Sequence, residues 1–261
     1  MRPRPNISPA AIDRRPRLTS LDAPTPAHQY HFHLDPHRHR STLSEVILGG
    51  QDGLVNVLGV ILGVAAATHD ARIVLAAGLA ATFAESVSMG AVAYTSKQAD
   101  QALYESERNR ERRHVAAVPE IERDEIRQLY RQKGFSGELL EKIVETITAN
   151  RDVWVAVMMA EELQLMPVPR GRALRSAARV GLAAMVGSLL PLLPFFFLSV
   201  GRAMWVALAV AAATLFAVGA YKAVTTVGQW AKSGAEMAVI GVASALVGYG
   251  VGLLFQVGPT P

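Results

Sequence analysis

The chain has 261 residues, 51% hydrophobic and 18% charged, with a formal net charge of +4 and a mean hydropathy of +0.23; that is too apolar for an ordinary soluble protein of this length. Zero cysteines exclude disulfides, thiolate metal sites and Cys nucleophiles, so any metal must be held by oxygen, imidazole nitrogen or thioether sulfur. The basic excess lies in the first 40 residues and beside apolar segments, where cytoplasmic flanks of membrane helices carry it, so no nucleic-acid partner is expected.

Residues 1–42 are rich in Arg, Pro and His and poor in aliphatic side chains, which predicts a disordered cytoplasmic tail. They contain no apolar core of a signal peptide, so none is expected. His28, His31, His33, His37 and His39 are dense enough to hold a divalent cation loosely, although such tracts often bind nothing specific.

A membrane helix needs roughly 20 mostly apolar residues, and five stretches meet that length: 44–67, 72–97, 176–200, 203–225 and 235–256. The predicted fold is therefore all-α, a five-helix transmembrane protein with a helical insert between helices two and three. Its divisions are 43–98 for helices one and two, 99–166 for the insert and 167–261 for helices three to five. Within the insert the spacing predicts helices over 99–116, 119–133, 137–148 and 151–164, with Pro119 opening the second and Gly134 closing it. Arg170, Arg172, Arg175, Arg179, Lys222 and Lys232 share the side of the basic tail, against Arg72 and Arg202 opposite. The N-terminus and the insert are thereby expected in the cytoplasm and the C-terminus, Gly258 to Pro261, outside.

Asp52 and Glu85 lie well inside the first two spans, where no basic residue accompanies them. A charge at the bilayer centre costs about 2.5–3.5 kcal/mol on insertion scales, so such acids face a partner or an ion path. A protonated acid bonded to a neighbouring helix is the competing account, and Gln51, Asn56, Ser86 and Ser88 supply polar groups for either. Glu85 and Met89 are i and i+4 on one helix face, and carboxylate with thioether suits a borderline transition ion better than Mg²⁺ or Ca²⁺. Gly59-x-x-x-Gly63 and Gly248-x-x-x-Gly252 allow close helix approach. One Asp, one Glu and one Met cannot complete a coordination shell, whereas a two-fold homodimer doubles every ligand.

In the insert, Glu111 and His114 are i and i+3, as are Glu122 and Glu125, and Met158, Met159 and Glu162 lie on its last helix. Together these types can hold several divalent cations; singly, each acid is also what a solvated helix face carries, with Arg110, Arg112 and Arg113 close by to neutralise it.

From Leu43 to Phe255 the chain resembles the vacuolar iron transporter family. The likeness rests on Gly49-Gly50-Gln51-Asp52-Gly53-Leu54-Val55, on Glu85 to Met89 followed by Ala93-Tyr94-Thr95-Ser96, on Leu103-Tyr104-Glu105-x-Glu107, and on Met158-Met159-Ala160-Glu161-Glu162-Leu163. The resemblance implies a homodimer that exports Fe²⁺, and often Mn²⁺ or related divalent ions, from the cytoplasm in exchange for protons. It implies an ion path at Asp52 and Met89, to which Glu85 is added from its position, and a cytoplasmic metal-collecting domain using Glu111, Glu122, Glu125, Glu162, Met158 and Met159. His114 stands where the family pattern has a glutamate, which keeps a ligand but removes a negative charge.

The expected function is proton-coupled export of Fe²⁺, with Mn²⁺, Co²⁺ or Zn²⁺ as alternative cargo, and no prosthetic group. The other class is a membrane-tethered metal sensor or store without transport. No P-loop, G-x-S-x-G or H-E-x-x-H signature points to an enzyme. The Ala- and Arg-rich composition favours a bacterial inner membrane over a vacuolar one.

Overall fold

The structure, a computed structural model, describes residues 40–169, 171–225 and 228–255, all of whose regular elements are helical. Helix α1 is Arg40–Thr68, α2 Ala71–Ala117, α3 Pro119–Gln132, α4 Gly137–Thr148 and α5 Arg151–Val157, which passes into a π-helical turn, Met158–Glu162. Then follow α6, Arg172–Leu192, with a 3-10 turn Leu193–Phe196, α7, Val200–Thr225, and α8, Trp230–Leu254. Helices α1, α2, α6, α7 and α8 are each long and apolar enough to cross a membrane. The expectations for the tail up to residue 39, its histidines included, and for the C-terminal Gly258 to Pro261 fall outside the described residues.

The expected break near residue 98 does not exist, because α2 is one helix of 47 residues. The linking stretch Thr95 to Ala102 contains neither Gly nor Pro. It is laced instead by bonds one turn apart, Lys97 to Asp100 at 2.9 Å, Gln98 to Tyr94 at 2.8 Å and Gln101 to Glu105 at 2.9 Å. At 1.5 Å per residue α2 is about 70 Å long, more than twice the roughly 30 Å hydrocarbon core of a bilayer. Its charged second half therefore exceeds what one crossing requires and continues into α3 to α5 and the π turn. The third span also begins earlier than expected, at Arg172 after Gly171, and ends at Leu192 because Pro191 and Pro194 remove backbone donors. The last short helix, expected to reach 164, stops at Val157, where the backbone widens and the Leu163 N–H donates to Met158 O at 3.2 Å. Pro119 and Gly134 act as expected, the latter at φ 95° just beyond α3.

Large apolar side chains point outwards, among them Val87, Leu182, Trp205 and Val247, as lipid allows. Between the helices lie small residues. The face that α7 buries reads Ala203, Ala207, Ala211, Leu215, Gly219 and Ala223, four residues apart throughout, and α2 buries Val74, Gly78, Thr82 and Ser86 at the same interval. Thr82 and Ser86 return their hydroxyls to carbonyls of their own helix, at 2.8 and 2.6 Å, so neither hydroxyl is left open to lipid. Helix α1 is held on two sides: a Cβ on Gly187 would fall on the Gly50 carbonyl, and a Cβ on Gly248 or Gly252 would fall on the carbonyl of Gly59 or Gly63. The two G-x-x-x-G segments thus join α1 to α8 within one chain. Beyond them an ion pair ties α1 to α6, with Arg179 Nη1 donating to Glu45 Oε2 at 2.8 Å and Ser176 Oγ to Glu45 Oε1 at 2.9 Å.

A side chain at Gly248 must push these helices apart. Gly248→Val is expected to destabilise the folded chain by about 1–3 kcal/mol, the usual cost of overpacking, seen as a lower melting temperature in detergent. Gly250→Ala, at a position with open space beside it, should leave the melting temperature nearly unchanged.

Candidate metal sites

Two groups of chemistry-bearing side chains emerge, one between α1 and α2 and one where the far end of α2 meets α3. In the first, Asp52 lies 12 residues into α1, about 18 Å along it, and Glu85 lies 14 residues into α2, about 21 Å along. Each is thus near the middle of its span. Asn56 Nδ2, one turn beyond Asp52, donates to Glu85 Oε1 at 3.2 Å, which brings Glu85 beside the turn of α1 that carries Asp52. A cavity of about 340 Å³ opens beside them, lined by Asn56, Val57, Val60, Ala81, Glu85 and Ser88. Met89 is half-buried one turn further along α2.

Of the polar residues near this pair, Ser86 is buried and bonded back into its own helix, so Asn56 and Ser88 are the ones that face the cavity. Sequence alone does not single out Asn56 as the donor, since it is one of four polar candidates there.

In the second group, the ligand atoms of Glu111 and His114 on α2 and Glu122 on α3 all lie within 4.8 Å of one another. Glu111 and Glu122 are buried and His114 is exposed, its Nδ1 3.4 Å from Glu122 Oε1. The second carboxylate oxygen of Glu122, Oε2, is buried without a hydrogen-bond partner. Burial, followed by the charges of Glu125, Glu111 and Glu162, pushes the Glu122 carboxyl up to about 7. Burial also raises Glu111, which His114 pulls back while Glu125 and Glu107 push it further up. Glu162, although an exposed residue, is raised by partial desolvation of its carboxyl and then by Glu125 and Glu111, again with His114 opposing. The structure therefore draws Glu111, His114, Glu122, Glu125 and Glu162 into one electrostatic neighbourhood.

Of the three nearby arginines expected to neutralise it, two are engaged elsewhere. Arg110 pairs with Glu107 at 3.0 Å and Arg112 with Asp152 at 3.0 Å. Carboxylates left in this state are suited to a cation of charge two or more.

Met158 and Met159 are fully buried in the apolar core formed with Val115, Ile126, Val144 and Trp154. Val115 is one turn after Glu111 and Ile126 one turn after Glu122, so that core adjoins the acidic group. The π turn sets their direction. It also turns Glu161 to Tyr130, whose hydroxyl donates to Glu161 Oε1 at 3.2 Å, and to Lys133, whose ammonium contacts Glu161 Oε2. Sequence reasoning missed this clamp, since neither Lys133 nor Glu161 stands out by spacing.

Five membrane-length helices with acids at mid-depth define the class, an integral multi-pass membrane protein. Residues 43–253 match the VIT family. The chain is 31% identical over 234 residues to vacuolar iron transporter 1 of Oryza sativa subsp. japonica, covering 88% of this chain and 92% of that protein. It is 34% identical over 214 residues to vacuolar iron transporter 2 of the same plant, covering 81% and 87%, and 30% identical over 259 residues to the vacuolar iron transporter of Toxoplasma gondii, covering 92% and 86%. The chain belongs to the VIT family, as the sequence resemblance implied. Relatives named as vacuolar give no support to a bacterial inner membrane.

The position of Glu122 sets a pH dependence. The folded chain holds its proton more tightly than the unfolded chain, whose value is 4.5. The stability this adds is complete below about 4.5 and is lost as pH rises through about 7. In metal-free protein, Glu122→Gln is therefore expected to match the wild type in acid and to melt at a higher temperature above pH 7; a melting-temperature difference that does not grow with pH excludes this environment for Glu122.

Proposed function

We propose that the protein is a proton-coupled exporter of Fe²⁺, with Mn²⁺ and related divalent ions as further cargo, moving them from the cytoplasm across the membrane. The observation that carries this reading is the placement of Asp52 and Glu85 at mid-depth on adjoining helices, joined by the Asn56 to Glu85 hydrogen bond of 3.2 Å, beside a cavity that Glu85, Asn56 and Ser88 line. Two neighbouring carboxylates at this depth hold either protons or a cation, and exchange of one for the other is the chemistry of antiport. Met89 adds a soft ligand that favours a transition ion over Ca²⁺ or Mg²⁺. The relatives' names specify iron.

The working unit is a homodimer, since one chain offers an ion too few ligands and a two-fold axis beside α1 and α2 doubles them. The outer half of α2 with α3 to α5 forms a cytoplasmic metal-collecting domain. There Glu111, His114, Glu122, Glu125 and Glu162 capture ions, with Met158 and Met159, buried in the adjoining apolar core, as thioether ligands. The basic residues at the start of α6, with Lys222 and Lys232, set that side as cytoplasmic. Ions pass from this cluster to Asp52, Glu85 and Met89 and leave when protons from the far side take their place.

The test is uptake of Fe²⁺ and Mn²⁺ into proteoliposomes under an imposed pH gradient. Wild-type protein should carry metal in and protons out together, and Asp52→Asn should reduce both to background while keeping its oligomeric state. Metal binding to the wild type should weaken as pH falls through about 7, where Glu122 regains its proton. Uptake that persists in Asp52→Asn overturns the reading; metal binding by well-folded wild-type protein that transports nothing makes the chain a sensor or store.

A further inference from the structure

A groove of about 960 Å³ opens between α1, α6 and α7, on the side of α1 away from Asp52. Its walls are apolar, with Leu43, Ile47 and Leu54 from α1, Leu182 and Val186 from α6 and Val218 from α7. The groove is deep because the helices beneath it meet through Gly50 and Gly187, and Ala183, Ala213 and Ala217 leave its walls unfilled. Arg179 and Tyr221 line it near the helix ends where Leu43 also lies. Leu43 and Leu54 are 11 residues apart on α1, about 16 Å, which is the depth of one leaflet of a roughly 30 Å apolar core.

We propose that this groove binds one anionic phospholipid of the leaflet on the Arg-rich side, with an acyl chain lying in the groove and the headgroup phosphate meeting Arg179. Charge complementarity identifies the occupant. Arg172 and Arg175 precede Arg179 on α6. Facing them is Glu45, which takes hydrogen bonds from Arg179 at 2.8 Å and Ser176 at 2.9 Å. Positive charge stays in excess, and Arg179 remains 36% exposed, so its planar fork can hold a phosphate as well. Basic pockets between helices on the cytoplasmic side are suited to anionic headgroups, and Tyr221 supplies the amphipathic ring that favours this depth. The groove plays no part in the metal path and the inference stands without it.

The experiment is native mass spectrometry of the purified full chain with added phosphatidylglycerol or phosphatidylcholine. One phosphatidylglycerol should be retained per chain in preference to phosphatidylcholine. Arg175→Gln, which removes a charge without touching the Arg179 to Glu45 pair, should reduce that preference roughly fivefold, the effect of about 1 kcal/mol per basic residue. Ala213→Phe with Ala217→Phe fills the groove from a helix face that is exposed in either case; it should abolish retention while melting temperature and elution volume hold. If the double variant does not fold, Ala217→Leu alone should still weaken retention. Equal binding of both lipids, or retention unchanged in a folded groove-filling variant, overturns the proposal. So does a groove-filling variant that changes oligomeric state but keeps its lipid, which assigns the groove to a second copy.

Discussion

Helix α1 meets backbone on two sides, α6 through Gly50 and Gly187 and α8 through Gly59, Gly63, Gly248 and Gly252. In lipid there is no hydrophobic force between helices, and close backbone contact takes its place. At such contacts even a methyl group collides with a carbonyl, so α1 can neither rotate nor slide without losing both interfaces. Asp52 and Asn56 lie one turn apart on α1, and their position against Glu85 follows from this double clamp rather than from any feature of their own. The ion pair from Glu45 to Arg179 fixes the same helix near its first turns.

Helix α2 carries residues of both sites. Glu85 and Glu111 are 26 positions apart on it, about 39 Å, with no break between. Loops would let a water-facing acidic group drift relative to the intramembrane pair; a continuous helix does not. Arg112 bonded to Asp152 then ties the end of α2 to α5, and the Tyr130 and Lys133 contacts to Glu161 tie α3 to the π turn. The acidic group is thereby assembled by α2, α3 and one irregular turn, each braced by polar bonds outside it.

The five spans were legible because length and apolar content alone decide them. Asp52, Glu85, Glu111 and Glu122 stand out in the sequence as chemistry out of place or at helical spacing; the paired methionines stand out too, and the structure places them in an apolar core. Which face of each membrane helix turns inward was not legible, since the usual apolar stripe has no meaning when every face is apolar. That information sits in small residues, such as the four-residue rhythm from Ala203 to Ala223 on α7. The continuity of α2 was hidden by a change of composition at Lys97, where the solvent changes but the backbone does not. The π turn at Met158 has no sequence signal in a single chain, and the arginines beside Glu111 read as neutralising until the structure paired Arg110 with Glu107 and Arg112 with Asp152.

The two acidic groups differ in how they carry their charge. Near the water-facing end, His114 and Glu162 are exposed and Glu122 is buried, so the group exchanges with solvent while one member resists ionisation until neutral pH. Between α1 and α2, the acids sit where an unpaired charge costs about 2.5–3.5 kcal/mol, no Lys or Arg lies in either helix within two turns of them, and the donor bonded to Glu85, Asn56, is neutral. A neutral amide offsets only about 1 kcal/mol of that cost. Such a pair is tolerable in lipid when it holds a proton or a cation and costly when it holds neither. On the reading proposed here, that same penalty discourages the empty, doubly ionised state and so couples the departure of a metal ion to the arrival of protons.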